Sequence, residues 1–554
     1  MRSWISGLAL TITAVVVAAG AAAPAAADPS TGPITAPVTT PTPEAEINVT
    51  GAPFTGAGSD GRVRGFVDAH SHLFANEGFG GDVLCGKVFD PAGVAAALKD
   101  CPDHYPDGSL AWFDNFTRTG SPIGTHDPVG WPTFRDWPSH DSLTHQQMYY
   151  RWVERAWRGG ERVMVLNLVT NGVLCSIYPI KTTSCDEMDA IRREAADALA
   201  LEKYVDAQYG GTGRGWFRIV RTPQEAKAAI VDGKLAVVLG IETSEPFGCK
   251  EILGFPQCSK ADIDRGLDEV YALGVRSMFP CHKFDNALCG VRFDSGTIGT
   301  ILNEGQLIST GHWWQTEPCR TAAHDNTIEP AVLPAEIAKY FPGGLIAPVY
   351  GPGPHCNRRG LTSLGAYMVQ GMMKRHMMVE VDHMSAKAAN STLSLLESAS
   401  YPGALSTHSW LDPTYVERVY KLGGFVTSYP TDAASFISTW QQTKGLRDKY
   451  SRPGYGFGLD MNGFGGWPAP VGPGAANAVT YPFRTFDGGS VVDRQVAGQR
   501  TFDVNTDGLA EYGLLPDYIE QIRRTPGGQA VVDDLAQGAA SYLQTWTATA
   551  AYTP

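Results

Sequence analysis

Two histidines spaced two residues apart are the strongest chemical signal in this chain. His70 and His72 follow a short apolar run and precede a glycine-rich stretch. Residues i and i+2 of an extended strand point to the same face, so both imidazoles can reach one ion at the strand end. A lone His-x-His motif is only a weak indication of a metal. Its weight here depends on what recurs later in the chain.

Four further polar residues stand where apolar runs end: Glu242, His383, His408 and Asp460. Taken alone, Glu242 could cap a turn, each histidine could be a hydrogen-bonded core residue, and Asp460 could form a turn. A carboxylate that closes a strand as apolar as the one before Glu242 is costly unless it meets a cation or donors. Imidazole and carboxylate are ligands that zinc and similar divalent ions prefer. Jointly, the strand ends predict a metallohydrolase.

Apolar runs of strand length alternate with helical patterns along most of the chain. Predicted strands cover residues 63–68, 162–169, 235–242, 275–279, 377–381, 403–407, 424–428 and 455–460, with 216–220 as a ninth candidate. Predicted helices include 144–158, 186–209, 261–273, 363–376, 386–400 and 413–422. Eight strands that alternate with helices predict an α/β fold, a (β/α)8 TIM-type barrel.

Two long stretches, 73–140 and 281–360, do not fit the alternation and are rich in Gly, Pro, Trp and Cys. Both follow strand ends, so we expect them to wall the active-site face of the barrel. The ten cysteines form near-neighbour couples: Cys85/Cys101, Cys175/Cys185, Cys249/Cys258, Cys281/Cys289 and Cys319/Cys356. An even count in an exported chain favours disulfides, which would staple the long loops.

The ends and the charge of the chain bear on its compartment. Residues 1–27 have the pattern of a secretion signal peptide, and 28–48 are a Pro/Thr/Ala-rich stretch expected to be a flexible tether. Residues 49–554 are expected to form the barrel domain. No later apolar run is long enough to suggest membrane insertion. The formal net charge of −13 argues against a nucleic-acid partner. We therefore expect a secreted protein.

Five segments resemble the membrane (renal) dipeptidase family of the amidohydrolase superfamily. They are Asp68-Ala-His70-Ser-His72, Gly240-Ile-Glu242, Val381-Asp382-His383-Met-Ser385, Ser406-Thr407-His408-Ser409 and Gly456-Phe-Gly-Leu-Asp460-Met-Asn-Gly463. The likeness runs from about Val63 to the C-terminal helices, apart from the insertions. It implies a metal-dependent barrel enzyme that hydrolyses a small peptide-type substrate.

The resemblance also implies roles for single residues. His70, His72 and Glu242 would hold one zinc ion. Glu242, His383 and His408 would hold a second, and other divalent metals are possible. Asp460 would be the general acid/base, and His282 would polarise the substrate carbonyl.

Two features depart from the family pattern. The family usually has His-x-Asp at the first motif, where this chain has His70-Ser-His72. Replacing an anionic ligand by neutral imidazole leaves a metal pair more positive by about one charge. The segment after His408 also has no clear equivalent of the family arginine that grips the dipeptide carboxylate.

The function that these observations favour is hydrolysis of an amide or peptide-type bond by a metal-activated hydroxide. A lactonase or phosphotriesterase-like metallohydrolase is an alternative, because such enzymes also use His-x-His. A non-catalytic wall- or glycan-binding protein is another, because tryptophans in the insertions could stack on sugars. The sequence leaves the natural substrate, the metal and the oligomeric state open.

Overall fold

A parallel sheet curled into a barrel forms the centre of the protein. The structure is a computed structural model, and it describes residues 43–328, 348 and 350–553. The expected signal peptide and residues 28–42 of the expected tether lie outside the described residues. The strands of the sheet are β1 (Phe66–Ser71), β2 (Glu161–Thr170), β3 (Leu235–Thr243), β4 (Val275–Met278), β5 (Met378–Glu380), β6 (Ala404–Ser406) and β7 (Phe425–Val426). They lie side by side in chain order, and every neighbouring pair is parallel.

The segment around Phe457 joins the two edges of this sheet. Phe457 makes parallel bridges to Asp68 in β1 and to Ser428 just beyond β7. A Cβ atom on the next residue, Gly458, would lie 1.7 Å from the Thr407 carbonyl oxygen, so this close approach requires glycine. The predicted α/β barrel is confirmed, and seven of its eight predicted strands are present. The eighth, predicted over residues 455–460, makes only isolated bridges, at Phe457 and Met461.

Strands β2 and β3 are buried along their whole length. This matches their near-continuous run of Val, Leu and Ile, because both faces of a parallel sheet are covered. The ninth candidate strand is also present. It is Phe217–Ile219, which pairs with the first residues of β3, away from the end that carries Glu242.

Helices pack around the sheet between the strands. Those before β5 are Val94–Leu98, Trp112–Thr119, Tyr150–Arg158, Gly172–Ile177, Glu187–Gln208, Pro223–Val231, Lys260–Leu273, Gly296–Thr310 and Ser363–Lys374. Those after β5 are Ala386–Ser398, Val416–Leu422, Ala433–Lys449, Val504–Asp507, Leu515–Arg524, Gly528–Leu535 and Gly538–Ala550. No helix within the described ranges has the length and apolar character needed to cross a membrane.

One predicted helix begins later than expected. The pattern predicted a helix from Thr144, but the helix starts at Tyr150. Residues before it are extended, since Gln146 N–H donates to the Cys85 carbonyl at 2.7 Å and His145 bridges Cys85. This tertiary contact outweighs the local helical periodicity.

The cysteine couples are placed as predicted. All five lie at disulfide distance, with Cα–Cα separations of 5.5, 5.5, 4.8, 6.0 and 5.2 Å in chain order. Each couple lies in or beside a loop that follows a strand. The insertion after β4 reaches the strand ends, because Val291 bridges Met384 and Arg292 N–H donates to the His383 carbonyl at 2.7 Å.

Candidate metal centre

The five predicted ligands converge at the carboxyl ends of the barrel strands. His70 and Glu242 lie near the ends of β1 and β3, and His72, His383 and His408 follow the ends of β1, β5 and β6. Their donor atoms fall into two groups, each within 4.8 Å: His70, His72, Glu242 and Asp460 in one, and Glu242, His383 and His408 in the other. The parallel strands bring these residues together although they are far apart in sequence.

The first group has a compact set of donor atoms. His70 Nε2 and His72 Nε2 are 3.1 Å apart, and they lie 3.3 and 3.2 Å from Glu242 Oε2. Asp460 Oδ1 is 3.0 Å from His72 Nε2 and 3.7 Å from His70 Nε2. Ligands at about 2 Å from a tetrahedral ion are about 3.3 Å apart, so these separations suit one cation.

The second group uses the other oxygen of the same glutamate. Glu242 Oε1 lies 3.2 Å from His383 Nε2 and 3.9 Å from His408 Nε2, and these nitrogens are 2.7 Å apart. Glu242 therefore presents one carboxylate oxygen to each group. Its Oε1 atom is buried and has no hydrogen-bond donor among the described residues, which fits a carboxylate that meets cations.

Neighbouring side chains orient the imidazoles. His72 Nδ1 lies 2.9 Å from the Asn167 carbonyl oxygen, so Nδ1 carries the proton and Nε2 is left as a ligand. His408 Nδ1 lies 2.9 Å from Asp382 Oδ2, the same arrangement with a carboxylate. His70 Nδ1 lies 3.1 Å from the Thr407 hydroxyl, which itself donates to Glu380. In each case the ring nitrogen that faces the cluster is Nε2.

Two residues of the site hold a strained backbone. His383 has φ of 63° and Asp460 has φ of 52°. Left-handed conformations cost a residue with a Cβ atom about 1–2 kcal/mol. They persist where the surrounding structure requires them, and such positions cluster at functional sites. His383 lies three residues past β5, and Asp460 lies three residues past the bridges of Phe457.

The electrostatics of the cluster favour positive charge. Burial opposes a charge on His72, but contact with Asp460 and Glu242 raises the pKa of His72 to about 10. Burial also opposes ionisation of Glu242, yet the surrounding imidazoles hold its pKa well below its usual range. The pKa of His383 is lowered well below its usual value, first by burial. The two carboxylates, Glu242 and Asp460, thus attract a proton onto His72 or a metal cation in its place.

Asp460 and His282 occupy the more open side of the cluster. Their side chains are 16% and 12% exposed, whereas those of the five predicted ligands are at most 4% exposed. His282 Nε2 lies 3.6 Å from Glu242 Oε1, and burial lowers the pKa of His282 to about 3, so its ring is neutral near pH 7. They are the most exposed of the seven candidate site residues.

Asn167 and Asp382 also build the site, although neither was assigned a role from the sequence. Asn167 belongs to β2 and holds His72 by its carbonyl, while its side-chain nitrogen lies 3.1 Å from His70 Nδ1. Asp382 also accepts hydrogen bonds from the Ser406 hydroxyl at 2.6 Å and the His408 N–H at 2.9 Å. The acid beside His383 in the Val-Asp-His-Met motif was the available signal for Asp382.

No family model matches this chain, and no curated protein matches it. Several solved structures do align. An amidohydrolase from Pseudomonas aeruginosa aligns at 11% identity and TM-score 0.39, over 72% of this chain and 91% of its own. A metallopeptidase from Rhodobacter sphaeroides, liganded with a phosphinate mimic of the dipeptide L-Ala-D-Ala, aligns at 14% identity and TM-score 0.40. That alignment covers 71% of this chain and 89% of the metallopeptidase. The probable dipeptidase PvdM from Pseudomonas aeruginosa aligns at 14% identity and TM-score 0.38, over 75% of this chain and 90% of its own.

Proposed function

We propose that this protein is a metal-dependent hydrolase that cleaves an amide or peptide-type bond of a small substrate. One observation carries the proposal: the two oxygens of Glu242 face two separate sets of imidazole nitrogens. A carboxylate in that position can bridge two cations. His70 and His72 complete one proposed ligand set, and His383 and His408 complete the other.

Zinc fits this donor set, because imidazole and carboxylate are its usual ligands at catalytic sites. Divalent cations bound there would polarise a carbonyl oxygen and lower the pKa of a water molecule. The remaining chemistry falls to the two more exposed side chains. Asp460 has one oxygen directed at His72, so its second oxygen can take a proton from water and return it to the leaving amine. Neutral His282 can donate a hydrogen bond to the oxygen on which charge develops.

Side chains next to the cluster support a substrate that carries a carboxylate. Trp410 packs on His383, with ring centroids 5.5 Å apart. Lys283 Nζ lies 5.0 Å from the Trp410 ring centroid and 3.3 Å from Asp294 Oδ1. This lysine follows His282 directly in sequence. We propose that Lys283 attracts the carboxylate of a dipeptide or an N-acyl amino acid.

The experiment is a substrate panel run with zinc supplementation and with a chelator. It compares dipeptides, the same dipeptides as C-terminal amides, N-acyl amino acids, lactones and phosphotriesters. We expect chelator-sensitive hydrolysis of free dipeptides or N-acyl amino acids, and a rise of about tenfold in KM when the carboxylate is amidated, since about 1.4 kcal/mol is lost. Turnover of only lactones or phosphotriesters would reject the amide assignment. Sugar binding without turnover would reject the enzyme.

The compartment and domain organisation belong to the same proposal. We propose that residues 1–27 direct export and that 49–554 form one barrel domain. Five cysteine couples at disulfide distance support an oxidising compartment, since such bonds are rare in reducing ones. Intact mass and N-terminal sequencing of protein from the culture medium test both the cleavage and the location.

A further inference from the structure

A second cluster of histidines lies outside the candidate metal centre. His104, His126 and His145 come together in and just after the long insertion that follows β1, with donor atoms within 4.8 Å of one another. His104 and His145 have no exposed surface, and His126 is 6% exposed. His104 Nδ1 and His126 Nε2 are 3.1 Å apart. The catalytic proposal uses none of the three.

A buried carboxylate lies beside two of these rings. His126 Nδ1 and His145 Nδ1 each lie 3.7 Å from an oxygen of Asp114, and His145 Nδ1 also lies 2.8 Å from the Ser142 hydroxyl. Both rings thus direct Nδ1 toward the acid and leave Nε2 for the cluster. Asp114 itself is held by Arg118 Nε at 2.8 Å. Separations of 3.7 Å are too long for hydrogen bonds, so Asp114 acts on both rings as a nearby negative charge, and the Ser142 hydroxyl fixes His145.

Hydrogen bonding within the cluster leaves several ring nitrogens without partners. The one short contact joins His104 and His126. His104 Nε2, His126 Nδ1 and His145 Nε2 are buried and have no hydrogen-bond partner among the described residues. An unpaired buried polar atom costs about 1–3 kcal/mol. A cation in contact with the three rings would give His145 Nε2 the partner that the hydrogen-bonded network does not provide.

The surrounding chain holds the rings in place. A Cβ atom on Gly108 would lie 2.3 Å from His126 Nδ1, so the backbone passes directly against that ring. His145 stacks on Trp137, with centroids 4.7 Å apart and planes at 20°. The disulfide Cys85–Cys101 lies three residues before His104, and His145 bridges Cys85. The rings therefore need little rearrangement to meet one ion.

We infer that His104, His126 and His145 bind a divalent cation of the zinc class, which holds the insertion after β1 together. Three imidazoles are an established protein ligand set for zinc. The site is enclosed, and its role is structural. It also connects to the candidate metal centre: Gln146, next to His145, accepts a hydrogen bond from Asn462 Nδ2 at 2.8 Å, and the same Nδ2 donates to the His72 carbonyl at 3.2 Å. The ion would therefore also steady the loop that follows Asp460.

Diffraction from zinc-loaded crystals of the full protein tests this directly. Data collected on both sides of the zinc absorption edge should show an anomalous peak between the three rings. The peaks at Glu242 and at the His104 cluster are read separately, so failure of the proposed function and failure of this inference can be told apart. No anomalous peak at this cluster in crystals grown with excess zinc would overturn the inference in favour of a hydrogen-bonded histidine network.

Metal analysis of variants gives a second readout in solution. His126→Gln and His145→Gln should each lower the zinc content by about one equivalent per chain. A chelator should also lower the thermal midpoint of each variant by less than it lowers that of the wild type. His355→Gln is the matched control. It replaces a buried histidine whose Nε2 contacts the Gly351 carbonyl at 2.8 Å, and it should keep the full zinc content. If the cluster variants fold and also keep the full zinc content, the inference is wrong.

Discussion

At the scale of single residues, position rather than type separates the proposed ligands from the proposed catalytic groups. The five proposed ligands are enclosed, and Nδ1 of His70, His72 and His408 each lies beside an oxygen atom of the barrel. Asp460 sits at the edge of the same donor set and keeps one oxygen on the more open side. Removing its charge should therefore affect the chemistry more than the binding of metal.

Asp460→Asn and Glu242→Gln should separate these roles. Three protein ligands suffice for a catalytic zinc, so Asp460→Asn should retain most zinc while kcat falls by at least about 10²-fold, through loss of the base. Glu242→Gln removes the charge of the carboxylate that faces both groups and should empty one or both sites. Zinc analysis beside turnover measures both effects. Full metal and near-normal turnover in Asp460→Asn would mean that another group is the base.

A buried acid remote from the candidate metal centre makes stability depend on pH. Burial raises the pKa of Glu511 from 4.5 to about 8. Between these values the folded protein holds a proton that the unfolded chain releases, so this group's contribution to stability is lost as pH rises, by about 1.4 kcal/mol per pH unit. Glu511→Gln can still accept the hydrogen bond from Gly513 N–H that Glu511 accepts at 2.6 Å.

Glu511→Gln should therefore gain stability relative to the wild type as the pH is raised from about 5 to about 8. Urea unfolding at a series of pH values gives the comparison. Glu46→Gln, at an exposed acid, is the control and should follow the wild-type curve. Parallel curves for Glu511→Gln and the wild type would show that Glu511 does not titrate in this range.

At the scale of elements, buried ion pairs join helices that the sequence alone does not place together. Arg155, in the helix Tyr150–Arg158, donates to Asp517, in the helix Leu515–Arg524, and both side chains have no exposed surface. Arg155 Nη2 also donates to the Asp493 carbonyl at 2.6 Å. These contacts attach the C-terminal helices to the barrel beside β2.

Arg155→Met should be strongly destabilising, because it leaves Asp517 buried without its partner. The expected loss in the free energy of unfolding is about 3–5 kcal/mol. Arg192→Met breaks the pair with Glu269, whose side chains are 46% and 36% exposed, and should cost at most about 1 kcal/mol. Urea unfolding of both variants tests the contrast. Equal losses would show that burial does not set the value of these pairs.

At the scale of the whole molecule, the barrel and its strand-end residues were predictable from the sequence. Period and composition locate strands, and parallel strands must place their carboxyl ends at one face, so His70, Glu242 and His408 could be expected to meet. The histidine cluster could not be found in this way. His104, His126 and His145 lie in irregular chain with no common spacing, and only tertiary contacts such as the bridge between Cys85 and His145 bring them together. The same contact explains the helix that was predicted to start too early.

The disulfides close loops in the insertions, and one of these loops contains a proposed catalytic residue of the candidate metal centre. Cys281–Cys289 closes a loop of sequence separation 8, and His282 follows Cys281 directly. Cys175–Cys185 closes a loop of separation 10, with none of the proposed site residues inside it. Because the loops are similar in length, removing either bond should cost a similar amount of stability, about 2–3 kcal/mol.

The double variant Cys281→Ser/Cys289→Ser should therefore lose turnover in excess of its loss of stability. Without the bond, His282 is held less firmly, and a hydrogen bond to the developing oxyanion is worth about 10²-fold or more in kcat. Zinc content should stay at the wild-type level, because His282 is not a proposed ligand. Cys175→Ser/Cys185→Ser should show a similar thermal midpoint with near-normal kcat. Measuring kcat, zinc and thermal midpoint for both variants below their unfolding transitions tests this, and equal kcat values in the two would show that the bond next to His282 does not position it.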